Sequence, residues 1–388
     1  MKIGIFTECY KPIVNGVVHS IEATRRGLIK LGHEVFIFSP NYPEKIEEKN
    51  LIRCPSIKFP GESGYQYTLP FTTKIKKIIK ILDIIHTHHP FIMGRRAAIS
   101  AKRYHIPLVF TNHTQYEQYS HYIPIARSAV KRSIRHFVKK FAQKCDLIVA
   151  PAEGIKHKLL EYRVTRPIEV VPNGIDLAKF QISQKDFLQT KYHLNKNWLV
   201  FVYSGRIAQE KNLEFLIKAF AQANQKNPES YLILIGGGPE KEKYHQQIKE
   251  LNLESKVIIT GFLPYQDIPK CLASADCFVS ASKSEVHPMT VIEAEAAGLP
   301  SVVFDVFGTG EIIENGKNGL KTKKDNLFEF ARAIIKIIKN KDLRQKLGAT
   351  AAIDCQKYSY LETSKLMITA YQKAQAEYHK RSKLISKT

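Results

Sequence analysis

Arg206 and Lys211 stand five residues apart in GRIAQEKN, where an apolar run ends and a helical pattern begins. A planar arginine fork beside a lysine point charge at such a turn suits a diphosphate, though a solvated cation pair fits the same spacing. The stretch SEVHPMTVIEAEAAGLP, Ser284 to Pro300, sets Glu285 and Glu293 eight residues apart with Pro288 between them. That spacing recurs at Glu153/Glu161, Glu161/Glu169 and Glu242/Glu250, so context must decide whether it carries chemistry. Proline is favoured at the first position of a helix and breaks one further in, which assigns Glu285 to a loop and Glu293 to the helix that Pro288 helps to start. Glu295 then points about 200° around from Glu293 and reads as structural. His287 in this loop reads as facing solvent, its tip being polar.

Other polar clusters are less specific. In IGGGPE three glycines follow an apolar run, and Gly16 follows Asn15 before another helical pattern. Both sites let a ligand approach the backbone, and both equally fit a plain turn. His86, His88 and His89 in DIIHTHHP lack a nearby carboxylate or cysteine, and a strand sends His86 and His88 to one side and His89 to the other. They read as packed or site-lining histidines more readily than as metal ligands. The six cysteines form no CxxC or zinc spacing and read as buried thiols.

The elements that must position these residues follow a repeating order. KIGIF, a polar loop, the helical pattern VVHSIEATRRGLIKLG and EVFIFSP make a strand–loop–helix–strand unit. DIIHTH, PLVFTNH and DLIVAP continue an open parallel sheet to about residue 170. After VPNGID the scheme restarts with WLVFVYSGR, NLEFLIKAFAQA, YLILIGGGP, KVIITGF, CFVSAS and PSVVFD. Two Rossmann-like halves therefore follow one another, and in such sheets ligands bind beyond the carboxyl ends of the strands. The 388 residues suffice for about two domains of ordinary size. No uncharged apolar run approaches the ~18 residues of a spanning helix, and MKIGIFTECYKP reads as strand and turn rather than as a signal peptide. A cytoplasmic location is the expectation.

The formal charge is +23 and is unevenly placed. Leu51 to Cys145 holds 17 lysines and arginines against Glu62, Asp83 and Glu117, a local balance of +14. Such a field favours a polyanion, nucleic acid or an anionic membrane surface, although a solvated basic face would show the same count. Within it, PIARSAVKRSIRHFVKKFAQKCD spaces Val130, Ile134, Phe137, Val138 and Phe141 as one helical stripe among Arg127, Lys131, Arg132, Arg135, Lys139 and Lys140. The stripe fits either a core face or an in-plane membrane helix. TKIKKIIK, Thr73 to Lys80, repeats the mixture. The basic run carries no recognised nucleic-acid module, so nucleic acid is not the expected partner.

Taken together the motifs resemble the retaining nucleotide-sugar glycosyltransferases of family 4, which have the GT-B fold. The resemblance rests on MKIGIFTECYKPIVNGVVHSI with LGHEVFIFSP, DIIHTHHPFIMG, PLVFTNHTQYEQYSHYIP, VPNGID, SGRIAQEKNL, IGGGPE, GFLP and SEVHPMTVIEAEAAGLPSVV. None of the eight is specific alone, but they occur in the family's order over nearly the whole chain. The resemblance implies two Rossmann-like domains facing across a cleft, with residues 1–172 as the acceptor and membrane-facing domain and 173–358 binding the nucleotide sugar. Residues 359–388 would form a C-terminal helix crossing back to the first domain.

The same resemblance implies residue roles. Arg206 and Lys211 match the diphosphate-binding cations, Glu293 the glutamate on the ribose hydroxyls and Glu285 the one on the donor-sugar hydroxyls. Gly16 matches the N-terminal glycine loop near the donor and His113 the histidine beside the sugar. The base would be recognised along GFLP, at Phe262 and Leu263. Where the family commonly has Glu-Gly-Phe-Gly or Glu-Thr-Gln-Gly, this chain has Glu285-Val-His-Pro, so contacts to the donor would pass to the Met289 and Thr290 amides. Members are described as retaining through front-side attack, needing neither a protein nucleophile nor a metal or other cofactor, and the chain holds no Asp-x-Asp.

The N-terminal half is most similar to members that glucosylate diacylglycerol on the cytoplasmic leaflet. The expected enzyme therefore moves a hexose, glucose from UDP-glucose, to diacylglycerol while peripherally bound to an anionic inner membrane face. GDP-mannose as donor, another lipid-linked or glycan acceptor, and a catalytically silent nucleotide-sugar or anionic-lipid binding protein are the alternatives.

Overall fold

The computed structural model of the protein describes residues 1–44, 46–58, 66–117, 127–182, 184–283 and 285–385; the side chains of residues 127, 384 and 385 lie outside that description. The chain divides into two compact units, Met1–Gly174 with Tyr360–Thr388, and Ile175–Ser359.

The first unit runs β1 (Lys2–Phe6), α1 (Gly16–Lys30), β2 (Glu34–Pro40), β3 (Leu51–Cys54), β4 (Ser56–Lys58), β5 (Gln66–Thr68), α2 (Thr73–Ile79), β6 (Ile84–Thr87), α3 (Ile92–Tyr104), β7 (Leu108–Thr111), α4 (Arg127–Ala142), β8 (Leu147–Ala150), α5 (Glu153–Glu161) and β9 (Ile168–Val170). Seven strands form one parallel sheet in the order β3-β2-β1-β6-β7-β8-β9, and β4 pairs antiparallel with β5. The central strands are buried along their length, as expected of a sheet covered on both faces.

The second unit runs α6 (Phe187–Lys191), β10 (Leu199–Ser204), α7 (Leu213–Lys226), β11 (Ser230–Ile235), α8 (Lys241–Glu250), β12 (Val257–Gly261), α9 (Ile268–Ala273), β13 (Cys277–Ser280), α10 (Met289–Ala296), β14 (Ser301–Phe304), α11 (Thr309–Ile312), β15 (Gly319–Thr322), α12 (Leu327–Lys339) and α13 (Lys341–Asp354). Its parallel sheet has the order β12-β11-β10-β13-β14-β15. Alternate residues of the strands feed two cores: Phe201, Leu232, Leu234, Val279 and Phe304 enter one, while Val200, Val202, Ile233, Phe278 and Val303 enter the other.

In both sheets the strand order reverses beside one strand. β1 lies between β2 and β6, and β10 lies between β11 and β13. Connections on either side of such a strand leave in opposite directions, which opens a crevice at the carboxyl ends. The segment after β1 leads to Gly16 at the start of α1, and the loop after β6 carries His88 and His89; the segments after β10 and β13 carry Arg206, Lys211 and Glu285.

The last helix, α14 (Tyr360–Ile385), belongs to the first unit. Met367, Ala370, Tyr371 and Ala374 enter its core beside Ile21 and Leu28 of α1. The approach of α14 to α1 depends on Gly27: a Cβ there would lie 2.2 Å from Ser364 Oγ and 2.5 Å from the Tyr360 carbonyl oxygen. In the second unit, Glu295 of α10 is fully buried and one of its oxygens accepts from Asn318 Nδ2 at 2.8 Å. Burial raises its pKa to about 8, so the carboxyl is held protonated near neutrality.

Gly27→Ala gains at most about 1 kcal/mol of helix propensity but must push a backbone carbonyl away, a strain typically of ~1–3 kcal/mol. Urea titration should show the variant less stable than wild type; equal or greater stability would contradict the close approach. For Glu295 the folded form keeps a proton that the unfolded chain releases above the ordinary value of 4.5. The stability this supplies is complete below pH 4.5 and is lost as pH rises through about 8. Glu295→Gln removes that loss, so thermal melts at the two ends of the window should show a smaller fall for the variant than for wild type.

Candidate active site

The second unit assembles its site residues through close backbone approach. A Cβ on Gly236 would sit 1.9 Å from the Gly205 carbonyl oxygen, and one on Gly238 would sit 2.1 Å from that of Ile207. One on Gly237 would meet the Phe262 ring at 2.5 Å. Gly236 and Gly238 are therefore required by the chain's own backbone packing, whereas at Gly237 only the exposed Phe262 ring stands in the way, and the two close approaches draw the β11 loop against the turn that carries Arg206. Tyr203, buried beneath this turn, donates its hydroxyl hydrogen to the Arg206 carbonyl at 3.1 Å. Arg206 itself is exposed.

Lys211 does not open α7. It closes a 3-10 turn, Gln209–Lys211, after which Asn212 takes a left-handed conformation (φ 54°) and the α-helix begins at Leu213. This turn sets Lys211 Nζ 2.5 Å from Glu285 Oε1, with both side chains about one-fifth exposed. The neighbouring loop contacts point the same way, because Ser282 Oγ and Lys283 N both donate to the Glu210 carbonyl, at 3.5 and 3.4 Å. Behind Glu285 lies Gly308, with φ 85°, where a Cβ would come within 2.7 Å of the Glu285 carbonyl oxygen. A cation suited to phosphate and a carboxylate suited to hydroxyls are thus held side by side at the strand-order reversal.

Pro288 occupies the cap position of α10 rather than its first turn, with its carbonyl accepting from Val291 N at 3.2 Å. The helix starts at Met289, which is buried, and Thr290, which is half-buried; no side chain caps it. Its first amides carry the positive end of the helix dipole. Glu293 lies one turn further on, buried, with Oε1 accepting from the Tyr265 hydroxyl at 2.9 Å. Burial raises its pKa to about 7, and the Tyr265 hydrogen bond opposes the rise. Phe262 is 82% exposed while Leu263 packs against the core. Ser284, the first residue of the opening stretch, lies outside the described residues.

The expectation for His287 is corrected. It is buried, with its ring edge-on to Tyr358 at 5.2 Å, and burial lowers its pKa to about 3. The physical cause is α10 itself: nearly every residue from Met289 to Ala296 is buried, so the chain has already turned inward at His287.

In the first unit Asn15 caps α1, its Oδ1 accepting from Val18 N at 2.9 Å. A Cβ built on Gly16 meets no atom within 4 Å, so the chain's own packing does not demand glycine there. The loops after β1 and β6 are tied by Glu8, whose backbone N–H donates to His89 Nδ1 at 3.2 Å and whose carboxylate accepts from Met93 N at 2.6 Å. His86 Nδ1 lies 2.8 Å from the Tyr371 hydroxyl and its Nε2 2.6 Å from Thr111 Oγ1. His88 Nδ1 lies 2.7 Å from His113 Nε2 with the two rings nearly parallel. These contacts go to hydroxyls, a backbone amide and a second imidazole, while His88 Nε2 is buried without a hydrogen-bond partner among the described residues. Burial lowers His113 to about 3 and His88 well below its ordinary value, so both rings are neutral.

The basic helix α4 divides lengthwise. Val138 and Phe141 are core residues, whereas Val130, Ile134 and Phe137 are half-buried. Lys131, Arg132 and Lys140 are exposed and Lys139 is half-buried. Arg135 is engaged: its Nε donates to Glu117 at 2.6 Å, and Glu117 also pairs with Lys158 at 2.5 Å. The side chain of Arg127 lies outside the described residues. Among the described residues no helix is long and apolar enough to cross a membrane.

Two partners escaped the sequence reading. Tyr265 as the partner of Glu293 left no signal, since the two lie 28 residues apart in different elements. His88 as the partner of His113 left one, because the two follow the ends of adjacent parallel strands, where Thr87 is level with Phe110.

Comparison with known proteins places these features. Residues 14–179 match the model of Glycosyltransferase Family 4 and residues 184–353 that of Glycosyl transferases group 1. An alpha-monoglucosyldiacylglycerol synthase of Acholeplasma laidlawii is 31% identical, covering 96% of this chain and 96% of its own length. A protein of the same name from Streptococcus pneumoniae is 32% identical over 78% of this chain and 70% of its own. Among solved structures, Anabaena Alr3699/HepE in complex with UDP-glucose shares the fold at a TM-score of 0.72 and 19% identity, covering 95% of this chain and 99% of that one. Two parallel sheets with matching order reversals, both family models and full-length identity agree: the chain belongs to glycosyltransferase family 4 and has the GT-B fold.

Proposed function

We propose that this protein transfers a hexose, glucose from UDP-glucose, to the free hydroxyl of diacylglycerol with retention of the anomeric configuration, at an anionic membrane surface on the cytoplasmic side. The observation that carries the reading is the Lys211–Glu285 pair at the strand-order reversal. Support for the acceptor comes from two relatives named as alpha-monoglucosyldiacylglycerol synthases.

In this reading Lys211 and Arg206 bind the diphosphate and Glu285 holds hydroxyls of the hexose, while Glu293 takes the ribose hydroxyls and Phe262 and Leu263 flank the base. The sugar C1–O bond breaks and the diphosphate leaves with its electron pair. The acceptor oxygen bonds to C1 on the same face, and its proton passes to an oxygen of the departing diphosphate. The protein's main contribution is to stabilise the charge that develops on the leaving group, through two cations and the N-terminus of α10. Lys131, Arg132, Lys139 and Lys140 of α4 face the anionic lipid, each worth ~1 kcal/mol near such a surface.

Purified protein with labelled UDP-glucose and diacylglycerol in anionic vesicles should yield an alpha-glucosyl lipid. GDP-mannose forms the second arm because a mannosyltransferase of Corynebacterium glutamicum, 25% identical and named as dependent on it, is also similar. Product from GDP-mannose alone would overturn the donor, and no glycolipid from either would overturn the reading. Charge reversal at Lys131, Arg132, Lys139 and Lys140 should weaken sedimentation with anionic vesicles by an order of magnitude or more, since four lost attractions at ~1 kcal/mol each already exceed that. Unchanged sedimentation would remove α4 from the membrane contact.

A further inference from the structure

In the second unit the segment after β12 reaches a buried carboxyl carried by the helix after β13. β12 is the outer strand of its sheet, and beyond Phe262 and Leu263 the chain makes a 3-10 turn, Tyr265–Asp267, before α9. Leu263 and Tyr265 both pack on the core that holds Met289 and Ile292 of α10. That packing brings the Tyr265 hydroxyl to Glu293, where it donates to Oε1 at 2.9 Å. One short segment therefore carries the base contacts of the reading above and supports its ribose carboxyl.

Glu293 is 4% exposed, and among the described residues no ion pair engages it. A buried carboxyl without a cation beside it favours its protonated form, and the hydroxyl of Tyr265 opposes that. Charged and titratable groups on the elements around α10 are engaged elsewhere. Asp354, Lys357 and Tyr358 act on Glu295, Lys270 pairs with Asp267, Lys211 pairs with Glu285, and Asp176 acts on Tyr265.

The form of the carboxyl matters to a ribose. When ionised it offers about four lone-pair positions over two oxygens, so it can accept from Tyr265 and still accept from two neighbouring hydroxyls. When protonated it turns one position into a donor and loses the added strength of a charged acceptor.

We propose that Tyr265 is a positioning residue that holds the Glu293 carboxyl as an acceptor for the ribose hydroxyls, and so makes this unit select a ribonucleotide donor over its 2′-deoxy counterpart. The proposal rests on the reading above that Glu293 takes the ribose hydroxyls. Tyr265 acts through Glu293 and makes no contact of its own with the reacting atoms.

Calorimetric titration of the full chain with UDP-glucose and with 2′-deoxyuridine diphosphate glucose tests this, because neither ligand has a phosphate that titrates near neutrality. Wild type should bind the ribose form roughly tenfold or more tightly, the scale of one hydrogen bond to a charged acceptor. Its affinity should rise with pH through about 7, where Glu293 loses its proton. Tyr265→Phe keeps the ring in the core but removes the donor, which moves that rise to higher pH. At pH 7 the variant should bind UDP-glucose several-fold more weakly and the 2′-deoxy form about as well as wild type. Glu293→Gln should lose both the discrimination and the pH dependence, and adding Tyr265→Phe to it should change little more. A Tyr265→Phe protein that keeps the discrimination and the pH profile, or weakens for both ligands equally, would overturn the proposal and leave the ribose role of Glu293 standing. A wild type that binds both ligands equally would overturn that role, and the proposal with it. If GDP-mannose binds and UDP-glucose does not, the donor reading fails, and the same comparison with 2′-deoxyguanosine diphosphate mannose decides the role of Tyr265.

Discussion

The reversal of strand order at β10 governs what this protein can do with a ligand. Because β11 and β13 flank β10 on opposite sides, the connections after β10 and β13 leave in opposite directions and open a crevice at the carboxyl ends of these strands. Lys211 and Glu285 come from those two segments, 74 residues apart in the chain, and meet at 2.5 Å. A pair formed this way is specified by topology, and any change that moved either strand would separate the charges.

Backbone contacts make the arrangement stiff. Gly236 and Gly238 allow two loops to touch main chain to main chain, and Gly308 does the same behind Glu285. The rigidity matters because a site that stabilises a leaving diphosphate must hold its cations in place before charge develops. The proline that departs from the family pattern fits the same logic. Pro288 caps α10 without an N–H of its own, so the first amides belong to Met289 and Thr290, and the loop before it is drawn under the helix together with His287. Burial explains why a histidine that looked solvent-facing in the sequence is a neutral packing residue.

Much of this was legible in the sequence. The apolar runs KIGIF, EVFIFSP, DIIHTH, WLVFVYSGR and YLILIGGGP all became central strands, because both faces of such strands are buried and their composition must be apolar throughout. The short strands β3, β9 and β15 were not legible; β9 is half-buried at every residue and so lacks a pattern. The glycines of IGGGPE were seen as open to a ligand or a turn, but their steric cause lies in contacts with Gly205, Ile207 and Phe262 that no local window contains. The same holds for His86, whose partner Tyr371 is 285 residues away on the final helix.

The central claim is that Lys211 and Glu285 serve different parts of one ligand, the diphosphate and the sugar. Calorimetric titration of UDP and of UDP-glucose into wild type, Glu285→Gln and Lys211→Met tests this most directly. Glu285→Gln should bind UDP about as well as wild type and lose the added affinity for the glucose, whereas Lys211→Met should lose affinity for both. A Glu285→Gln protein that loses UDP and UDP-glucose binding equally would contradict the division of roles.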